Sequence, residues 1–154
     1  MNKKSAGILM YRFKKDRLQF FLVHPGGPFW KNKDEGAWTI PKGEFSTDED
    51  PLYAAKREFQ EETGFPAPEK FIELTSIKQK SGKIVHCWTA EGDVDHEKIH
   101  SNTFELEWPP RSGKKQKFPE VDKADWFTIE EVKKKIISEQ SKFIDELTTF
   151  LNKE

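Results

Sequence analysis

Apolar positions along this chain follow two rhythms. Ala6–Phe13 (AGILMYRF) and Gln19–His24 (QFFLVH) are short, β-prone apolar runs, and the charged KKDR between them predicts a hairpin turn or loop. PGGPFWKNKDEG, rich in Gly and Pro, predicts a loop. Ala37–Ile40 (AWTI) predicts a short strand that Pro41 ends. Phe71–Lys80 and Lys83–Glu91 predict two strands joined at Ser81-Gly82. Lys123–Phe127 predicts a final short strand. The rhythm then changes to helical spacing over Ile129–Ile137 and Lys142–Leu151, with Val132, Ile136, Phe143, Ile144, Leu147 and Leu151 as apolar positions. His96–Pro119, with consecutive prolines and a basic loop, yields no clear element.

One more helix is bounded at both ends. Asp50 followed by Pro51 supplies a side-chain acceptor and then a residue suited to the first helical position. Gly64, Phe65 and Pro66 form a stop signal. Between them Leu52, Ala55 and Phe59 form a stripe expected to face the core, with three glutamates on the adjoining face. Ala54 is expected within that acidic face. Strands, a helix, more strands and then helices predict an α/β sandwich of helices around a mixed sheet, in one domain spanning 1–154.

Composition narrows the class of protein. The apolar share is only 34% of 154 residues, but 13 Phe and 5 Trp bury large areas each and can build the core. A net charge of −1 gives no support for nucleic acid or an acidic membrane as partner. The single cysteine, Cys87, excludes an internal disulfide and a cysteine-based zinc site, and is expected to be a buried small hydrophobe. The basic start MNKKSAGILMYRF is too soon interrupted by Arg12 to serve as a signal peptide, and no apolar run approaches the roughly 20 residues of a membrane span. A cytoplasmic location is the expectation.

The chemistry concentrates in the bounded helix. Glu58 neighbours both Glu61 and Glu62 on one helical turn, and like charges at that spacing cost about 0.2–0.5 kcal/mol per pair. Such a cluster either stays in water as a solvated acidic face or holds a cation. Carboxylates are hard oxygen ligands that suit Mg²⁺ or Mn²⁺, ions that bridge to substrate phosphates.

Gly43, Glu49 and the run Arg57-Glu58-Phe59-Gln60-Glu61-Glu62-Thr63-Gly64-Phe65 resemble the Nudix box, with every fixed polar or glycine position at the right spacing. Phe59 stands where that family has an aliphatic residue, a departure that touches packing more than chemistry. The box favours the cation over the solvated face. The flanking strand order is also similar to the family's fold, so the resemblance extends over the chain.

The resemblance implies a Nudix-type sandwich with a catalytic loop–helix–loop, and Mg²⁺-dependent hydrolysis of a pyrophosphate bond. It implies Glu58, Glu61 and Glu62 as metal ligands, with Gly43 as a tight loop entry whose carbonyl lies near the metal. Glu61 or a nearby carboxylate is the implied base. Arg57 is the implied orienting arginine, Glu49 a support for the loop–helix–loop, and Glu120 an added acidic ligand or base from the loop before the last strand. AWTIPKGE is similar to the corresponding segment of members acting on nucleoside triphosphates, dinucleoside polyphosphates or inositol pyrophosphates, more than to the ADP-ribose branch.

Other residues carry open alternatives. Lys42 reaches a substrate phosphate or is an exposed lysine. Phe29 and Trp108 stack on a nucleobase or pack, while the remaining tryptophans, including Trp30, are expected in the core. Arg111, Lys114, Lys115 and Lys117 are a solvated loop or a polyphosphate clamp. His24, His86, His96 and His100 show no ligand spacing and are expected to be satisfied or exposed. Specificity is expected in residues 25–36 and 100–120. The partner implied is a small-molecule nucleotide; the family's habit of pairing leaves a homodimer open. The competing functions are a nucleotide-binding sensor without chemistry and removal of pyrophosphate from RNA 5′ ends.

Overall fold

The computed structural model describes residues 3–152. Strands β1 (Lys4–Lys14) and β2 (Arg17–Pro25) form the predicted hairpin. Lys15 and Asp16 at its turn both adopt positive φ, 53° and 64°. That is the twist a two-residue hairpin turn demands. Further along come β3 (Lys42–Glu44), α1 (Pro51–Thr63), β4 (Ile72–Lys78) and β5 (Ile84–Glu91). The chain continues through β6 (Thr103–Glu107), β7 (Lys115–Pro119), β8 (Val121–Phe127), α2 (Ile129–Lys135) and α3 (Ser141–Asn152). The main sheet runs β4-β5-β1-β2-β8, with β3 added on β1, while β6 and β7 make a separate ribbon. β1 and β5 are parallel and the other pairings antiparallel, so the sheet is mixed as predicted.

Side-chain alternation divides the apolar runs between two layers. Leu9, Phe20, Leu22, Val85 and Cys87 face α2 and α3, where Val132, Phe143, Ile144 and Leu147 are buried. Ala6, Ile8, Met10, Phe21 and Trp88 face α1, against Ala54, Ala55 and Phe59. Both sheet faces are covered, which is why these strands read as near-continuous apolar stretches. Cys87 is buried, and burial pushes its thiol pKa up. Among the described residues no helix is long and apolar enough to cross a membrane.

The site is positioned by a split in the sheet. β1 and β2 pair only where Tyr11–Lys14 meets Arg17–Phe20. Beyond that they diverge, and the segment from Trp38 to Lys42 wedges between them. Val23 and Thr39 exchange backbone hydrogen bonds at 2.9 and 3.0 Å, and Ile8 N–H donates to Pro41 O at 3.1 Å. Ala37–Ile40 is therefore not the predicted strand. It makes only isolated bridges, Thr39 to Val23 and Trp38 to Ile136, because its neighbours splay apart. The same bridge stops α2 at Lys135, short of the predicted Ile137: Ile136 turns extended and Ile137 N–H donates to Trp38 O.

Candidate active site

Helix α1 begins and ends as its sequence dictates. Asp50 caps it, accepting from Tyr53 N–H at 3.0 Å, and Pro51 opens the first turn. Gly64 closes it at φ 80°, donating to Gln60 O at 2.8 Å. Only glycine takes that left-handed exit without steric cost. Ala54 lies on the acidic face, as expected, and is fully buried there. It shares a stripe with Glu58 and Glu62 at steps of four, and that stripe turns inward beneath the loop carrying β3. The acidic face is thus partly buried: Glu58 is only 8% exposed.

Arg57 gathers the acids. Its Nε and Nη2 donate to the two carboxylate oxygens of Glu49 at 2.8 and 3.0 Å. Its Nη1 donates to Glu58 Oε1 at 3.1 Å and to Glu61 at 3.1 and 3.2 Å. A planar guanidinium suits such forked recognition, and these partners hold its pKa above the usual range, Glu49 foremost. Glu49 is therefore a fixed anchor for Arg57, the supporting role expected of it.

Glu58 is pressed over β3. A Cβ built on Gly43 would lie 2.0–2.2 Å from the Glu58 carboxyl atoms. Only glycine at 43 leaves room for that carboxylate. Glu62 points elsewhere on the same loop, accepting from Lys42 N–H at 3.1 Å. Glu58, Glu61 and Glu62 are thus neighbours on one turn, but Glu58 and Glu61 share Arg57 while Glu62 turns to the Lys42 N–H. Among the described residues no three acidic, His or Cys side chains converge as they would on a single ion.

The electrostatics explain what a cation would relieve. Burial raises the pKa of Glu58, and the charge of Glu61 adds to it. Burial likewise raises Glu120, again with Glu61 contributing. Glu62 is pushed up to about 8 by burial, with Glu58 and Glu120 raising it further against the pull of Lys42. Glu120, from the short link between β7 and β8, thus lies in the field of all three box glutamates. Four carboxylates in one another's field, with a glycine cradle under one of them, fit a hard divalent cation, the group the sequence implies.

A cavity of about 270 Å³ adjoins these acids. Trp30, Lys42, Glu62 and Glu120 line it together with Gln79 and Gln140. Lys42 is not a free surface lysine. Burial lowers its ammonium pKa, as does neighbouring Lys83. Trp30, expected in the core, is 37% exposed and is the aromatic of this cavity. Phe29 and Trp108 meet each other edge to face at 5.4 Å, outside the cavity lining. Arg111 sits at the exposed tip between β6 and β7, where its N–H donates to Glu107 Oε1 at 3.1 Å.

The segments expected to carry specificity do touch. A Cβ on Gly26 would lie 2.0 Å from Pro119 O, and one on Gly27 would lie 3.0 Å from Phe104. Sequence reasoning missed the β6–β7 ribbon, yet Thr103-Phe104-Glu105-Leu106-Glu107 alternates strictly and carries that signal. It also missed Gln79 and Gln140, which only the fold brings together. His24 is a satisfied core histidine, between Asp122 Oδ1 at 2.8 Å and Lys33 O at 2.6 Å. His86 departs from expectation: its Nε2 is buried without a partner, with its ring near Phe45 and Trp88.

The family described as NUDIX domain matches residues 1–147. No curated protein matches the chain. Solved structures do. The NUDIX domain of Shewanella oneidensis NrtR complexed with ADP ribose superposes with a TM-score of 0.66 at 16% identity, covering 98% of this chain and 89% of that one. A Caenorhabditis elegans Ap4A hydrolase binary complex gives 0.64 at 23% identity, with 99% of each chain covered. MutT, from a study of the Aliivibrio salmonicida and Vibrio cholerae proteins, gives 0.56 at 14%, with 94% of each covered. At these identities the likeness is one of fold.

Proposed function

This chain belongs to the Nudix family, and from that premise we propose that it is a divalent-cation-dependent hydrolase of a pyrophosphate bond in a nucleoside diphosphate-linked compound, a nucleoside triphosphate or dinucleoside polyphosphate. One observation carries the reading: Arg57 holds Glu49, Glu58 and Glu61 at 2.8–3.2 Å while the Glu58 carboxyl lies over Gly43.

Glu58, Glu61 and Glu62 would hold Mg²⁺ or Mn²⁺, with the Gly43 carbonyl and Glu120 as further oxygens. When bound, the ion neutralises diphosphate charge and lowers the pKa of an attacking water. The chain's own residues do the rest. Arg57 fixes the carboxylate rotamers before substrate arrives, so little ordering is left to the moment of reaction. Glu61, whose side chain is the more exposed of the two sharing Arg57 Nη1 (34% of the side-chain area against 11%), can receive a proton from water. Glu120, with its raised pKa, is the second candidate base. Lys42 on the cavity wall offers its ammonium to a substrate phosphate.

The test is phosphate or pyrophosphate release by purified protein with Mg²⁺ or Mn²⁺, across nucleoside triphosphates, dinucleoside polyphosphates, inositol pyrophosphates, ADP-ribose and a triphosphorylated oligonucleotide. Turnover of a nucleotide class supports the proposal, and silence across the whole panel defeats it. Nucleotide binding by calorimetry without turnover would mark a sensor instead. Glu61→Gln should lose about 10²–10⁴ in kcat, the usual contribution of a general base; undiminished activity would exclude Glu61 as the base.

A further inference from the structure

The β6–β7 ribbon leaves the main body and returns to it through a short root. Residues 100–102 lead into β6, and Glu120 links the end of β7 to the start of β8. The strands of the ribbon are exposed or half-buried along their length, whereas Val121 is buried. Glu120 therefore stands between a surface ribbon and the core, and the ribbon by itself does not fix it.

Backbone bonds tie the root to helix α1. A helix leaves its last carbonyls without partners of its own. Here Asn102 N–H donates to Glu61 O at 2.8 Å and His100 N–H to Thr63 O at 2.9 Å. The approach depends on Gly64, where a Cβ would lie 2.9 Å from His100 O. Across the root, Glu120 N–H donates to Asn102 O at 2.8 Å, and Glu120 O accepts from Gly26 N–H at 2.9 Å. One run of bonds thus passes from the helix that carries the acids, through Asn102 and Glu120, to the 25–36 loop.

Ser101 closes the same root with its side chain. It is buried, 8% exposed. Its Oγ accepts from Val121 N–H at 3.2 Å. It also stands 3.0 Å from Val121 O and 2.9 Å from Asn102 O, the two acceptors open to its one proton. Val121 follows Glu120 in the chain, and Asn102 O is the acceptor of the Glu120 N–H. One hydroxyl therefore holds both supports of Glu120. Glu120 and Val121 in turn line the cavity with Glu62 and Lys42.

We propose that Ser101 is a positioning residue: its hydroxyl staples the ribbon root and so holds Glu120 in place opposite the glutamates of α1. The inference rests on the hydrolase reading for what Glu120 does there; the staple itself does not.

Two variants and two readouts test it. Ser101→Ala removes the hydroxyl. Ser101→Cys keeps the volume with only a weak donor and acceptor, and carries the test if Ser101→Ala fails to fold. Amide hydrogen exchange, read without metal or substrate, should quicken about five- to tenfold at Asn102, Glu120 and Val121, while the amides of β5 keep their protection. In the Mg²⁺ assay each variant should lose about tenfold in kcat with KM little changed, the lower end for a group that orients ligands. The same substitution made on top of Glu120→Gln should cost nothing further, because both changes act through one carboxylate. Unchanged exchange at the root would overturn the proposal. So would a kcat loss that adds in full to that of Glu120→Gln, since Ser101 would then only pack. Quickened exchange in a protein that hydrolyses nothing on the panel would instead sink the hydrolase reading and leave the staple standing.

Discussion

Two regions of this molecule are built in opposite ways. The segment from Gly43 to Phe65 is specified locally. Its caps, its glycines and its arginine–glutamate fork all come from residues close in sequence. The β6–β7 ribbon and the 25–36 loop are specified at a distance. Phe104 and Phe118 pack at 6.0 Å, Phe29 meets Trp108, and Pro119 backs onto Gly26. The first region has little room to vary without losing its charge arrangement. The second is exposed, makes its own small sheet, and can change its tip without disturbing the main core. The acid-bearing segment is thus rigid by local chemistry, while the ribbon and the 25–36 loop depend on docking.

The most damaging way to test that contrast is at Gly43. Gly43→Ala places a Cβ about 2 Å from the Glu58 carboxyl, so one of them must move. A displacement near 1 Å should cost about 10² in kcat, measured in the Mg²⁺ assay, with the fold retained by circular dichroism. Normal turnover would mean the Glu58 position is not needed.

Arg57→Ala should cost about 10–100-fold in activity, the usual range for a group that orients metal ligands. Arg57→Lys should restore little, since an ammonium cannot reproduce the fork to Glu49 at 2.8 and 3.0 Å. Full rescue by lysine would reduce Arg57 to a simple positive charge.

The pH dependence gives a third test. Glu62 is raised from 4.5 to about 8 in the folded chain, mainly by burial. A raised carboxyl makes its stabilising contribution below the unfolded pKa and loses it as pH climbs through the folded one. Without divalent cation, unfolding free energy should therefore fall between pH 4.5 and about 8, and Glu62→Gln should flatten that slope. Magnesium binding near neutral pH should release a proton, visible by calorimetry in buffers of different ionisation enthalpy. No release would remove Glu62 from the ligand set.

In the docked region the effects should be smaller. Phe104→Ala should cost about 1–2 kcal/mol in urea unfolding, part of the core value for a half-buried ring. Arg111→Ala, at the exposed tip, should shift stability by no more than about 0.5 kcal/mol. A larger loss at Arg111 than at Phe104 would mean that the tip, and not the docked ring, holds the ribbon.

Much of this was legible in the chain, for identifiable reasons. Asp50-Pro51 and Gly64 act over a few residues, so the helix bounds follow from sequence alone. The spacing of Glu58, Glu61 and Glu62 also follows from the helical repeat. Where those carboxylates point does not. Arg57, at their own helix, claims two of them, but the third takes the backbone N–H of Lys42, twenty residues earlier. Ala54 lies on the acidic face as its spacing predicts, but the burial of that face is set by what packs on the helix and not by the helix's own stripe. Trp30 leaves the expected core for the cavity wall for the same reason.

The residues themselves determined the strand runs, the helix caps, the acid cluster and the family it belongs to, because each of those depends on neighbours a few positions apart. Tertiary structure alone decided the splayed strands that admit Trp38–Lys42, the burial that raises Glu62, and the gathering of Gln79 and Gln140 into one cavity lining. Those features need chain segments far apart in sequence to exclude water from the same small volume, and no local pattern encodes that.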